Sequence, residues 1–201
     1  MTSRPTIICF KHCSEKSIFC NQVPLLCPLC KKLIVTFTLE PFQIPYPFIN
    51  ANQNPTSIVL RPSYGDFLHD FNINQDLHIG IVDSNCQIFE FDKRGLIKND
   101  FTKWTNCVAL KLIPESWESH WDETLEIIVN NTKWNIKNYH EISMNCFNFI
   151  IEFLEILKFE DIQFMNKEEM CETFILPKLQ EAIRYISLYR KLMNDNYFIQ
   201  D

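Results

Sequence analysis

Residues 143–154 read SMNCFNFIIEFL, and their period decides what kind of fold follows. Cys146, Phe149, Ile150, Phe153 and Leu157 fall on one helical stripe, whereas Asn148, Glu152 and Glu155 fall on the other face. The pattern predicts a half-buried helix over 143–158, with Ser143 or Asn145 as its N-cap. Cys146 then opens the helix, where free N–H groups and a partial positive charge favour thiolate over thiol. A nucleophilic sulfur also needs a base, and histidine is poised for that task near neutral pH.

Such a histidine lies upstream. DLHIGIV, residues 76–82, sets His78 among Leu77, Ile79 and Ile81 in a strand-like run. If that strand packs beside the helix start, the ring reaches the sulfur. A third polar group usually orients the imidazole. Glu90 and Asp92, on the next predicted strand, are the candidates, and strand register decides between them. Asn145 and the backbone N–H of Cys146 or Phe147 are candidate donors to an oxyanion. His140, six residues before Cys146, is the alternative base. His69 reads as a surface or distal group, and His120 as solvent-facing between Trp117 and Trp121. The plainer reading is equally simple: cysteine is among the most buried residue types, and a strand histidine is commonly structural.

Around these two segments the pattern is α+β: a small antiparallel sheet with packed helices. SIVLRP, DLHIGIVD, CQIFEFD and WTNCVALKLIP, all within 57–114, read as strands, the middle two joined by a hairpin at Ser84-Asn85. Residues 114–130 switch to helical spacing through Trp117, Trp121, Leu125 and Ile128. A last helical region covers 167–193, with Pro177 starting its second segment.

The N-terminal end differs. Five of the nine cysteines fall within residues 9–30. CPLC at 27–30 is a CxxC knuckle, and CFKHC at 9–13 offers two further ligands. His12, Cys13, Cys27 and Cys30 form the predicted structural Zn2+ site of a zinc-ribbon-like module, with Cys9 as the alternative ligand and Cys20 in reserve. So small a module lacks core area, and metal binding would supply its stability. The predicted division is 1–39 for this module, 40–57 for a Pro-rich linker and 58–201 for the α+β domain.

Composition sets limits. Apolar residues make up 46% of 201, and three glycines leave no room for a phosphate-binding loop. A net charge of −6 disfavours nucleic acid as a partner; a protein partner is expected. The run CFNFIIEFLEILKF is broken by Glu152 and Glu155, so no membrane span is predicted. The first apolar stretch is too short for an export signal, so the expected setting is intracellular and reducing, cytoplasmic or nuclear, with free thiols rather than disulfides.

A strand histidine followed by NC at the start of a long helix resembles the circularly permuted papain-like folds. These include the PPPDE-type deubiquitinating and deSUMOylating peptidases and the lecithin retinol acyltransferase group. The resemblance implies His78 as base and Cys146 as nucleophile, acting on peptide, isopeptide or acyl bonds. The acyltransferase group carries a second histidine on the neighbouring strand, about where Glu90 stands here. A broader resemblance covers most of the chain. FKHC, VPLLCPLC, DLHIGIV, NCFNFI and FILPKLQEAIRYISLYR are similar to the makorin-2 opposite-strand protein family, which implies boundaries and fold rather than a reaction.

Overall fold

The computed structural model describes residues 4–160, 162 and 166–201. In chain order its elements are β1 (Ile8–Lys11), β2 (Ser17–Cys20), β3 (Leu39–Gln43), β4 (Ser57–Pro62), β5 (Leu77–Val82), β6 (Ile88–Asp92), β7 (Gly95–Lys98) and β8 (Val108–Leu110). There follow α1 (Glu118–Val129), α2 (Cys146–Leu157), α3 (Lys167–Met170), α4 (Leu176–Asn194) and β9 (Tyr197–Gln200). The architecture is mixed α+β with antiparallel sheets, as the periodicities predict.

Contacts divide the chain into two units: the chain up to Pro47 together with Glu181–Asp201, and Phe48–Gln180. These boundaries differ from those drawn on the sequence. Residues 40–43, read as the start of a linker, belong to the edge strand β3. The last strand, β9, returns to pair with β2 through Ile18↔Ile199 and Phe19↔Phe198.

The first unit holds a sheet of order β3-β1-β2-β9 over Phe10, Ile18, Cys20 and Cys27. Its cysteine knuckle closes as a tight turn. The Cys27 N–H donates to Lys32 O, the Lys31 N–H donates to Cys27 O, and Leu26 bridges Leu33. Lys31 takes the left-handed backbone (φ 60°) that this turn requires.

The second unit holds a sheet of order β7-β6-β5-β4-β8. β5 lies at its centre, and nearly every residue of it is buried, which explains its continuous apolar run. The β5–β6 turn is longer than the two-residue hairpin predicted: Asp83 Oδ1 accepts from the Gln87 N–H at 2.6 Å, and Cys86 is left-handed (φ 60°). β7, which the sequence reading passed over, follows at once. Gly95 turns the chain at φ +94° and pairs with Asp92.

α2 lays its apolar stripe on this sheet. Phe149, Ile150 and Phe153 are fully buried, each contributing on the order of 1.5–3 kcal/mol. Edge-to-face contacts lock the packing: Trp121 on Phe153 at 4.6 Å and Trp134 on Phe149 at 5.1 Å. The Trp121 indole N–H donates to Val82 O at 3.0 Å, tying α1 to the end of β5. Pro177 lies one residue into α4, and a π-helical turn at Cys171–Ile175 precedes it.

Candidate functional site

β5 and α2 together bring His78 to Cys146. β5 pairs with β6 through Ile81↔Phe89 and Val82↔Ile88, which sets Glu90 diagonal to His78. His78 Nε2 lies 2.7 Å from Glu90 Oε2, and both side chains are buried. Side-chain contacts thus select Glu90 over Asp92, whose carboxylate is taken by Arg94 at 2.9 Å.

The ring's other nitrogen, Nδ1, is not used by Glu90. Burial opposes a charge on His78, but interaction with the Cys146 sulfur and the Glu90 carboxylate outweighs it and pushes the imidazole up to about 9. Burial likewise opposes charge on Glu90, yet hydrogen bonding and attraction to His78, together with Arg61, hold its carboxyl below the usual range. Arg61, the cross-strand partner of His78, lies 3.4 Å from Glu90 Oε2. The other oxygen, Oε1, has no hydrogen-bond partner among the described residues and lies 4.0 Å from Arg94.

Trp104 completes the support. Its ring lies 5.7 Å from that of His78, with the Arg61 guanidinium over it at 4.9 Å. Gly80 makes room: a Cβ there would meet Trp104 at 3.1 Å and Phe89 O at 3.1 Å.

Asn145 is the helix cap. Its Oδ1 accepts from the Phe147 N–H at 2.9 Å, its Nδ2 donates to Glu141 O at 2.6 Å, and Asn148 Oδ1 accepts from the Asn145 N–H at 3.0 Å. Asn145 and the Phe147 N–H are therefore committed to the cap. The Cys146 N–H, at the first helical position, has no intrahelical acceptor.

His78 lines a cleft of about 700 Å3 whose far wall includes Tyr139. Cys146 is 7% exposed and is not among the described residues that line the cleft. Remaining histidines lie apart from the pair. His140 is exposed and binds Ser143 Oγ at 3.1 Å; His69 pairs with Asp66 at 2.9 Å. His120 is exposed, as expected, while its ring packs on Trp117 at 5.2 Å and its Nε2 reaches Leu157 O at 3.1 Å, so it shares the Trp117 side of the helix.

In the first unit His12, Cys13, Cys27 and Cys30 bring one ligand atom each to within 4.8 Å of the others, a cluster able to hold a metal ion. Cys13 Sγ lies 3.8 Å from Cys27 Sγ, and Cys30 Sγ lies 3.6 Å from His12 Nδ1. Without a cation, lost solvation and the neighbouring Cys30 and Cys27 thiols push Cys13 up to about 11, while the Lys32 N–H draws Cys30 down. Cys9, the alternative ligand, is buried in β1 with its thiol on Ser17, and Cys20 is buried in β2. All nine cysteines are free thiols.

Comparison with known proteins agrees with the sequence resemblance. The family described as DUF4796 C-terminal matches residues 41–192, and DUF4796 N-terminal matches residues 5–34. The human (Homo sapiens) MKRN2 opposite strand protein is 30% identical over 201 residues, covering 97% of this chain and 89% of the relative. The chain belongs to the DUF4796 family, that of the MKRN2 opposite strand protein. No solved structure matches this member of the family. Its N-terminal match encloses all four residues of the metal cluster, and its C-terminal match encloses His78, Glu90 and Cys146.

Sequence reasoning missed three members of the thiol site: Arg61, Trp104 and Tyr139. Arg61 had a signal, as the one charge inside the apolar strand SIVLRP. Trp104 and Tyr139 had none, since irregular segments carry them.

Proposed function

We propose that this chain is a thiol hydrolase or transferase of permuted papain-like fold, carrying a zinc-ribbon-like module, in which Cys146 is nucleophile, His78 the base and Glu90 the orienting group. The observation that carries the reading is the chain of contacts Cys146–His78–Glu90 on the edge of a cleft. The histidine stands first in sequence on a strand and the cysteine opens a helix.

The chemistry follows from the groups. His78 holds the thiol proton, and its charge is balanced by Glu90. The sulfur attacks an acyl carbon; the oxyanion accepts from the Cys146 N–H; His78 passes its proton to the leaving group. The thioester is then cleaved by water, whose proton returns to His78, or by an acceptor amine or alcohol. Incubation with p-nitrophenyl acetate tests this. Acetylation of Cys146, detected by peptide mass spectrometry and abolished by His78→Ala, supports the reading. Absence of acetyl on Cys146 while other thiols react sinks it.

Zinc is the metal that the N-terminal cluster fits best. A tetrahedral site with Zn–S of about 2.3 Å and Zn–N of about 2.0–2.1 Å sets S···S near 3.8 Å and S···N near 3.6 Å. The Cys13–Cys27 and Cys30–His12 spacings, 3.8 and 3.6 Å, agree with both. Four filled positions leave none open for substrate, so the role is structural.

One observation favours a second reading, that of a catalytically silent, zinc-bearing protein-interaction module: the sulfur is 7% exposed. Under it, Cys146→Ala leaves partner binding unchanged and no acyl-enzyme forms. Under either reading the expected partner is protein, in a reducing compartment that preserves the thiols.

A further inference from the structure

The cleft over His78 has a composition that discriminates among acyl substrates. Fifteen described residues line it, and none is Leu, Ile, Val, Met or Phe. An alkyl chain entering there would find apolar contact only on Pro62, the two tyrosine rings and side-chain stems, and would strip water from charged and hydroxyl groups without replacing their hydrogen bonds.

Its charge is opposite to that of the chain. The protein carries −6 overall, yet Arg61, Lys93, Arg94 and Lys103 line this cleft against Asp66 and Asp92. Both carboxylates are already engaged, Asp92 by Arg94 at 2.9 Å and Asp66 by His69 at 2.9 Å. Lys93 and Lys103 are exposed and make no salt bridge among the described residues. Arg61 is engaged by Glu90 and Arg94 by Asp92 and Asp100, so the positive charge left to meet an anion here is that of Lys93 and Lys103.

The rim is prefolded. Gly65 stands at φ +68°, and a Cβ there would lie 2.4 Å from Asp70 Oδ2. Asp66 Oδ1 accepts from the N–H groups of Leu68 and His69 at 2.7 and 2.9 Å, and Asp70 Oδ2 accepts from the Asp66 N–H at 3.0 Å. This knot presents Tyr64, 81% exposed, on the rim, while Tyr139 lines the same cleft. Two amphipathic rings and a pair of unpaired lysines suit a polypeptide with carboxylate side chains.

We propose that the cleft takes an acidic polypeptide segment, and that the acyl group delivered to Cys146 belongs to a peptide or isopeptide bond rather than to a lipid. The proposal rests on the thiol-site reading above for the reaction, though not for the binding.

The test uses the full chain with Cys146→Ala, so that binding is read without turnover. Fluorescence anisotropy follows three labelled peptides of about twelve residues, rich in Asp and Glu, in Asn and Gln, or in Lys, and a labelled palmitate. The acidic peptide binds at least tenfold more tightly than its amide counterpart, and the preference shrinks as salt rises from about 50 to about 300 mM. Lys93→Gln with Lys103→Gln, two exposed positions, erases most of it. Equal binding of the acidic and amide peptides, preference for palmitate, or no peptide binding overturns the proposal. Reactivity of the wild-type thiol is scored separately. An inert thiol with acidic-peptide binding refutes the enzyme reading alone; a reactive thiol without that preference refutes this inference alone.

Discussion

Replacing His78 by glutamine removes a buried charge while keeping a hydrogen-bond donor for Glu90, and its cost follows from the site. The imidazole is raised from 6.5 to about 9 on folding, with its side chain 10% exposed. At about 1.4 kcal/mol per tenfold change in proton affinity, that rise corresponds to about 3 kcal/mol. Because the folded value is the higher one, this stabilisation is fully present below pH 6.5 and is lost as pH rises through about 9. Glu90, held below 4.5, sets the lower edge: its contribution is present above about 4.5 and falls away under it. The assay is urea unfolding of wild type and His78→Gln from about pH 5 to about pH 10. Buried thiols such as Cys107, pushed up to about 12, also destabilise the fold at high pH, but they act in both proteins and cancel in the difference. The wild-type advantage should be greatest near pH 5–6 and shrink by about 3 kcal/mol toward pH 10. A difference that stays flat, or grows with pH, would refute the charged, paired imidazole.

Three further outcomes follow from other parts of the molecule. Metal analysis should give about one zinc per chain, and Cys27→Ser should lose it and destabilise the first unit; below about pH 6 protonation of the thiols should release the ion. Less than half a zinc per chain would contradict the tetrahedral reading. Asn145→Ala should cost about 1 kcal/mol in thermal or urea unfolding, while Asn145→Asp keeps the cap and most of the stability. Gly80→Ala should cost about 1–3 kcal/mol by overpacking against Trp104 and the Phe89 carbonyl, and should shift the fluorescence of that indole.

The parts legible in the sequence are those set by local period. The α2 stripe, the buried β5 run and the CxxC knuckle each announce themselves within a dozen residues. What escaped depends on turns and distant pairing. Glu90 and Asp92 lie two residues apart on one face of β6, so alternation could not tell them apart; the contacts do, with Glu90 on His78 and Asp92 on Arg94. β7 escaped because four residues around a glycine carry too little pattern. β9 pairs with β2 across nearly the whole chain, and nothing local at 197–200 points there. At the N-terminal cluster the four residues singled out in the sequence do lie together, since cysteine and histidine density is itself the signal; that Cys9 turns inward to Ser17 follows only from β1 being a strand. Asn145 was read as both cap and oxyanion donor, and the capping bonds engage its side chain and the Phe147 N–H.

The central claim is that Cys146 is activated by His78. Its most direct test is competitive labelling of the native protein with iodoacetamide at pH 6–7, read peptide by peptide. The account predicts that Cys146 labels faster than buried Cys107, and that His78→Ala removes the advantage while leaving Cys107 unchanged. Equal rates at the two thiols, with no effect of His78→Ala, would contradict it.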